Sequence, residues 1–193
     1  MRTEREIVLA SGSPRRRELL GRFAVPFTVD PAKGEEVIPA GLSAGETAAS
    51  LASQKAAEVS LRHPGALVIG ADTVVERDGV ILGKPHDETE AAEMLRSLSG
   101  RAHHVYSGLC IVCGGEERRI FEETTVHFRP LTEAEITAYI CTGEPMDKAG
   151  AYGVQGQGAL LVDRIDGDFF NVMGLPVSLL AQMLAEFGVN LLQ

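Results

Sequence analysis

The apolar run Ile7-Val8-Leu9-Ala10 stops at Ser11-Gly12-Ser13-Pro14, and apolar residues resume at helical spacing as Leu19, Leu20 and Phe23. A short unbroken apolar run reads as a buried strand. Pro14 suits the first position of a helix, where its missing N–H would have no partner anyway. The stretch therefore reads as strand, tight polar loop and helix. A helix dipole disfavours cations at its N-terminus, yet Arg15, Arg16 and Arg17 fill this first turn. Three cations there make local sense if an anion sits among them. Backbone N–H groups, the hydroxyls of Ser11 and Ser13 and fixed positive charge then converge as they do at phosphate sites. A solvated basic turn on a surface helix is the alternative reading of the same residues.

The rest of the chain alternates in the same way. Strand character recurs over residues 25–29, 66–75 and 80–82, with a tight turn at Arg77-Asp78-Gly79. A long hairpin spans 104–113 and 116–128 around Gly114-Gly115, and short strands follow at 159–162 and near Ile165. One capping box, Ser43 to Glu46, opens a helix to about residue 62, and a second, Thr132 to Glu135, opens one to about residue 141. An amphipathic helix begins at Asp87 or Thr89 and closes at Gly100; the last starts at Leu175-Pro176 and turns Val177, Leu180, Ala181, Leu184 and Phe187 inward. Strands interleaved with helices, plus a long hairpin, give an α/β or mixed α+β class with a mixed sheet. No repeat or linker divides residues 1–193, which fit one domain, or one domain with two lobes.

Two residues sit where solvent alone explains them poorly. Lys55 falls on the apolar stripe Ala48, Leu51, Ala52, Ala56 and Val59, where a lysine either snorkels or reaches for an anion. Asp72 lies between the apolar runs 66–71 and 74–75, and a buried carboxylate needs a partner or a metal. Residues 147–158 are rich in Gly and Ala outside any obvious helix, so backbone there must approach something closely.

Charge and composition exclude several functions. The net charge of −9 over 193 residues argues against sequence-independent nucleic-acid binding, which needs a basic face. No apolar run approaches the ~18 residues of a membrane span. The charged opening, residues 1–6, shows no signal peptide, so a cytoplasmic protein is expected. Cys110-x-x-Cys113 sits in strand-like sequence, where residues three apart face opposite ways, and no second pair completes a zinc site. His103, His104 and His127 carry no motif and are read as strand residues. There is no Gly-x-Gly-x-x-Gly after the first strand and no Gly-x-Ser-x-Gly elbow. Gly83-Lys84-Pro85 lacks the hydroxyl of a Walker loop. What remains is a set of cations, Arg15, Arg16, Lys55 and Lys84, and a set of carboxylates, Glu35, Glu36 and Asp72. Phosphate chemistry uses both kinds: cations on the non-bridging oxygens, and carboxylates to carry Mg²⁺ and orient a water.

The motifs Leu9 to Arg16, Gly70-Ala71-Asp72-Thr73, Gly83-Lys84-Pro85, Leu98-Ser99-Gly100, Met146 to Gly153 and Gly167 to Pro176 resemble, in this order, the Maf family of nucleoside triphosphate pyrophosphatases. The resemblance implies a long mixed sheet in two lobes with a central cleft, like that of inosine triphosphate pyrophosphatases. It implies hydrolysis of a nucleoside triphosphate to monophosphate and pyrophosphate with Mg²⁺ or Mn²⁺, and a homodimer. Asp72 corresponds to the proton acceptor. Ser11, Ser13, Arg16, Lys55 and Lys84 correspond to the phosphate-binding set, with Glu35 as the second metal carboxylate beside Asp72. Arg15, Thr73 and Gln155 correspond to positions that accompany preference for dTTP and UTP; modified pyrimidine triphosphates are a related substrate class. A nucleotide-binding regulator of cell division, not requiring turnover, is the competing function.

Overall fold

Strand β1 (Ile7–Leu9) is buried at all three positions and takes a parallel neighbour on each side, β2 (Thr28–Val29) and β3 (Leu67–Arg77). These strands belong to a computed structural model that describes residues 5–192. The charged residues 1–4, part of the argument against a signal peptide, lie outside the described residues. Beyond β3 every pairing is antiparallel: β5 (Ala102–Cys113), β6 (Glu116–Phe128) and β7 (Val162–Asp166) follow in turn. The sheet is seven-stranded and mixed, in the order β2-β1-β3-β5-β6-β7, with the short β4 (Val80–Leu82) also on β3. The β3–β4 hairpin turns through Asp78 and Gly79 at φ 53° and 81°, the positive dihedrals that an Asp-Gly turn supplies. No described helix is long and apolar enough to cross a membrane.

The two faces of the sheet are covered unequally. Leu67, Ile69, Leu109 and Ile111 point into the larger core, closed by α1 (Pro14–Leu20), α3 (Glu88–Leu98), α4 (Glu133–Ile140) and α6 (Val177–Glu186). The opposite face carries Val8, Ala10, Val68 and Cys110 and packs against α2 (Ala44–Ser60) through Ala52, Ala56 and Val59. Cys110 and Cys113 thus fall in different cores, as strand alternation predicts. The expected mixed sheet flanked by helices is what forms.

Contact between α2 and the sheet is backbone on backbone. A Cβ at Gly70 would lie 2.1 Å from the Ala52 carbonyl oxygen, and one at Gly108 would lie 2.2 Å from the Ala48 backbone. Gly108 pairs with Asp72 across the β3–β5 ladder, so the seam of the helix lies directly beside the aspartate.

Two local expectations change. The strand expected over 25–29 contracts to Thr28–Val29, because Pro26 has no N–H to give a ladder. The strand expected at 159–162 is a 3-10 turn, Gln157–Leu161, that runs into β7. Asp168 caps the one-turn α5 (Phe169–Val172), its carboxylate accepting from Phe170 N–H at 2.7 Å.

His103 is a core residue. It is fully buried, its Nε2 lies 2.8 Å from the Tyr152 hydroxyl, and Phe128 and Tyr152 meet its ring edge-on. Burial pulls its pKa down from 6.5 to about 4.

Two outcomes follow from this packing. Gly108→Ala should lower the unfolding free energy, read from the shift of the urea midpoint, by the upper part of the ~1–3 kcal/mol typical of overpacking, since the added carbon meets backbone that cannot turn aside. An unchanged midpoint would mean that α2 is not seated on the sheet as described. His103 binds a proton more readily unfolded than folded, so stability should fall as pH drops from 6.5 to 4. The loss attributable to this side chain is about 3 kcal/mol, and subtracting the pH profile of His103→Phe from that of the parent chain isolates it.

Candidate active site

β3 has a notch in one edge. On that side β1 pairs only as far as Ile69, and β4 pairs only from Val75 onward. Residues 70–74 therefore have no strand neighbour there, while β5 covers the other edge throughout. The carboxyl end of β1 opens into the notch, which is where open sheets with parallel strands take ligands. Asp72 and Thr73 occupy it, pointing to opposite faces by strand alternation.

On the α2 face, Lys55 reaches down from the helix to Asp72. Its Nζ contacts Asp72 Oδ1 and also lies 2.9 Å from Glu36 Oε1. The Lys55 and Asp72 side chains are 17% and 13% exposed, while Glu36 is 52% exposed, so the pair is shielded and the third member is the one most open to solvent. An ammonium bridging two carboxylates offsets the desolvation each would suffer alone. Glu36, and not its neighbour Glu35, makes this contact; Glu35 is exposed and lines the same depression of ≈ 250 Å³ with Gln54 and Glu58.

On the other face, Arg16 is fixed by all three arms of its guanidinium. Nε donates to the Gly174 carbonyl at 2.8 Å, Nη1 to Ser11 Oγ at 3.1 Å and Nη2 to Thr73 Oγ1 at 3.0 Å. Thr73 Oγ1 lies 2.8 Å from Ser107 Oγ, which itself donates to the Asn171 carbonyl at 2.9 Å. The single Ser107 proton is thereby used, so the proton between Ser107 and Thr73 comes from Thr73. Asn171 is wholly buried and closes the network: its Oδ1 accepts from Ser107 N–H, and its Nδ2 donates to Val105 O and Thr124 Oγ1. Burial lowers the Arg16 pKa from its usual value, and the fields of Asp72 and Glu36 work against that. A guanidinium stays cationic in a protein, so Arg16 brings a fixed positive charge to the Thr73 side of the notch.

The remaining expected residues stand around this centre. Ser13 holds the N-cap position of α1 without a side-chain cap bond, and its backbone N–H donates to Ser11 Oγ at 3.3 Å. Arg15 is half-buried, and its field acts on Tyr139 and Asp147. Arg17 is exposed on an open depression of ≈ 780 Å³ outside the Ser-Gly-Ser turn. Lys84 is exposed just past β4, and its loop is tied to residues 148–151 by Gly150 N–H donating to Gly83 O at 3.0 Å. Gln155 is exposed on the Gly-rich loop. That loop is held by Tyr139 Oη, which accepts from Gly153 N–H, and by the Glu144 carboxylate, which accepts from Gln157 and Gly158 N–H. A Cβ at Gly156 would lie 2.2 Å from Glu144 Oε2, which is the close approach expected of this segment.

Sequence reasoning did not find Ser107 or Asn171. The signal for Asn171 was a polar residue inside Phe169-Phe170-Asn171-Val172; Ser107 carried none. Nor could it separate Glu35 from Glu36, since loop residues have no periodicity to assign faces.

Among the described residues no group of three or more His, Cys, Asp or Glu side chains converges as a metal cage. Asp72 and Glu36, both within reach of one ammonium, are a pair of hard oxygen donors of the kind Mg²⁺ takes when waters and phosphate oxygens complete its shell.

A family model described as Maf-like protein matches residues 6–187. The chain is 50% identical over 183 residues to a protein of Symbiobacterium thermophilum named dTTP/UTP pyrophosphatase, covering 95% of this chain and 94% of that one. It is likewise 50% identical over 186 residues to a dTTP/UTP pyrophosphatase of Bacillus velezensis, covering 96% and 98%. Among solved structures, the Ham1 protein of Staphylococcus aureus is similar with a TM-score of 0.52 at 15% identity, over 96% of this chain and all of that one. A HAM1 protein from Coxiella burnetii is similar with a TM-score of 0.50 at 17% identity, over 94% and 99%. At these identities the two structures bear on the fold alone.

Thr73→Val keeps the shape of the side chain but leaves Arg16 Nη2 without its acceptor. The expected loss of stability is ~1–3 kcal/mol, the range for a stranded donor, read from denaturant unfolding. Thr73→Ser should recover most of it, and a Thr73→Val chain as stable as its parent would break the proposed link from Arg16 to Asn171.

Proposed function

The chain belongs to the Maf family, and on that premise we propose that it is a dTTP/UTP pyrophosphatase, hydrolysing either nucleotide to its monophosphate and pyrophosphate. The observation that carries this reading is the notch itself. Asp72 and Glu36 stand on one side and Arg16 with Ser11 on the other, so acceptor and cationic groups face one space. The regulator without turnover is not favoured, because the relatives are named for the reaction and both sets of groups are intact here.

The residues divide the work by chemistry. Ser11, Ser13, Arg16, Lys55 and Lys84 bind the triphosphate, with Arg16 held by its three hydrogen bonds in the orientation it needs. Pre-set donors of this kind stabilise charge that develops in the transition state without reorganising at that moment. Asp72 takes the proton of a water whose oxygen attacks the α-phosphorus. The bond from the α-phosphorus to the oxygen bridging the α- and β-phosphates breaks, and pyrophosphate leaves with that electron pair. Arg16, Lys55 and Lys84 neutralise the departing charge. Arg15, Thr73 and Gln155 select the base; Arg15 is half-buried at the start of α1, and Gln155 is exposed on the Gly-rich loop. A divalent cation, Mg²⁺ or Mn²⁺, held by Asp72 and Glu36, would neutralise triphosphate charge and polarise the phosphoryl oxygens.

Pyrophosphate release from a panel of dTTP, UTP, dCTP, ATP and GTP, with Mg²⁺ or Mn²⁺, tests the reading directly. Release from dTTP and UTP ahead of the rest is expected, and release from none of them would overturn it. Asp72→Asn should fold normally and turn over at least ~10²-fold more slowly at saturating metal, the size of a lost acid–base group. Near-normal turnover would take Asp72 out of the chemistry.

A further inference from the structure

Residues 30–42 join β2 to α2 with no strand or helix of their own, yet Glu36 within them reaches Lys55 at 2.9 Å. A half-exposed carboxylate on such a segment has backbone and rotamer freedom to lie elsewhere. What restrains it is a stripe on α2 and its C-terminal extension. Gln54, Glu58 and Arg62 are spaced four residues apart and so share one helical face. Arg62 donates from Nε to Asp30 Oδ2 at 2.9 Å and from Nη2 to Pro31 O at 3.1 Å. Glu58 accepts from the N–H groups of Lys33 and Gly34, each at 2.9 Å. Gln54 pairs with Val37 as a strand would: Oε1 accepts from Val37 N–H at 3.0 Å and Nε2 donates to Val37 O at 2.6 Å.

The loop therefore runs antiparallel to the helix, gripped once per turn, and Glu36 lies between the grips of Glu58 and Gln54. Two of the grips are joined by Arg62 Nη1 donating to Glu58 Oε1 at 2.9 Å. A Cβ at Gly34 would lie 2.9 Å from Glu58 Oε2, so the loop approaches this carboxylate as closely as a glycine allows. The two N–H donors and Arg62 hold the Glu58 carboxyl down to about 2, which keeps the grip ionised at any ordinary pH.

We propose that Gln54, Glu58 and Arg62 are positioning residues, a ladder that holds the 30–37 loop along α2 and so keeps the Glu36 carboxylate at the Lys55–Asp72 pair. The inference rests on the hydrolase reading above, and it adds that the second carboxylate is set by Glu58 and Arg62 through their bonds to the loop, which include none to Lys55 or Asp72. Without the ladder the loop and Glu36 leave the notch together while the sheet and α2 stay in place.

Glu58→Ala, Glu36→Gln and the double variant, made in the full chain, test this. Hydrogen exchange at the amides of Lys33, Gly34 and Val37 should quicken in Glu58→Ala while the thermal midpoint barely moves, the mark of a local opening. Pyrophosphate release from dTTP with Mg²⁺ should fall by the ~10–100-fold typical of losing a residue that orients a ligand. In the Glu36→Gln background the same Glu58→Ala change should cause little further loss, because Glu58 acts through Glu36. Gln54→Ala should quicken exchange at Val37 and behave alike in turnover. Unchanged exchange in both variants would overturn the ladder, as would a Glu58→Ala loss of turnover equally large with and without Glu36. A parent chain that releases no pyrophosphate would overturn the hydrolase reading alone, and exchange would then decide the ladder.

Discussion

The structure depends on α2 lying against the sheet with nothing between their backbones. Gly70 and Gly108 provide the flat surface, and Ala48, Ala52 and Ala56 are the small residues that settle on it. Any larger residue at either glycine would lift the helix by the width of a side chain. That distance matters because Lys55 is one position from Ala56 and Asp72 is two positions from Gly70, on the same face of β3. The small-on-small seam therefore sets how deep the lysine reaches. A lysine at the same place on a helix packed through leucines would stand well above the aspartate.

The second constraint is the interrupted edge of β3. A strand of eleven residues is flanked on one side by two three-residue strands that do not meet. Where they leave a gap, the two faces of the sheet communicate, which is otherwise impossible through a hydrogen-bonded ladder. Lys55 and Asp72 belong to one face; Arg16, Ser11 and Thr73 belong to the other. The reading as a nucleotide hydrolase uses both, and the fields of Asp72 and Glu36 act on Arg16 from the other face. Behind Thr73, Ser107 and Asn171 convert a surface arginine into a fixed one, using the core as the reference frame.

Much of this was legible in the chain, for reasons that differ by residue. Lys55 stood out because helical periodicity assigned it to a face where solvation could not explain it. Asp72 stood out because strand sequence continued on both sides of it. Both capping boxes form as Ser43–Glu46 and Thr132–Glu135 predict, since a cap is a local bond needing no tertiary partner. The strand at 25–29 was overestimated and the turn at 157–161 was mistaken for one, because short apolar runs do not declare their conformation. Glu35 and Glu36 could not be told apart, since only the grips on Lys33, Gly34 and Val37 decide which of them turns inward.

By itself, then, the sequence determined the class of fold, the periodic faces of its helices and strands, and the groups available for phosphate chemistry. Those are properties of local spacing and of side-chain type. The tertiary structure alone decided that β1 and β4 stop short of each other, that two glycines bring α2 down to the sheet, and that Glu36 joins Lys55 and Asp72. Each of these depends on contacts between residues far apart in the chain, and strand register and backbone approach have no signature in any single stretch. Arg16 shows the division most plainly: its charge is written at position 16, but its direction is set by Thr73 and Gly174.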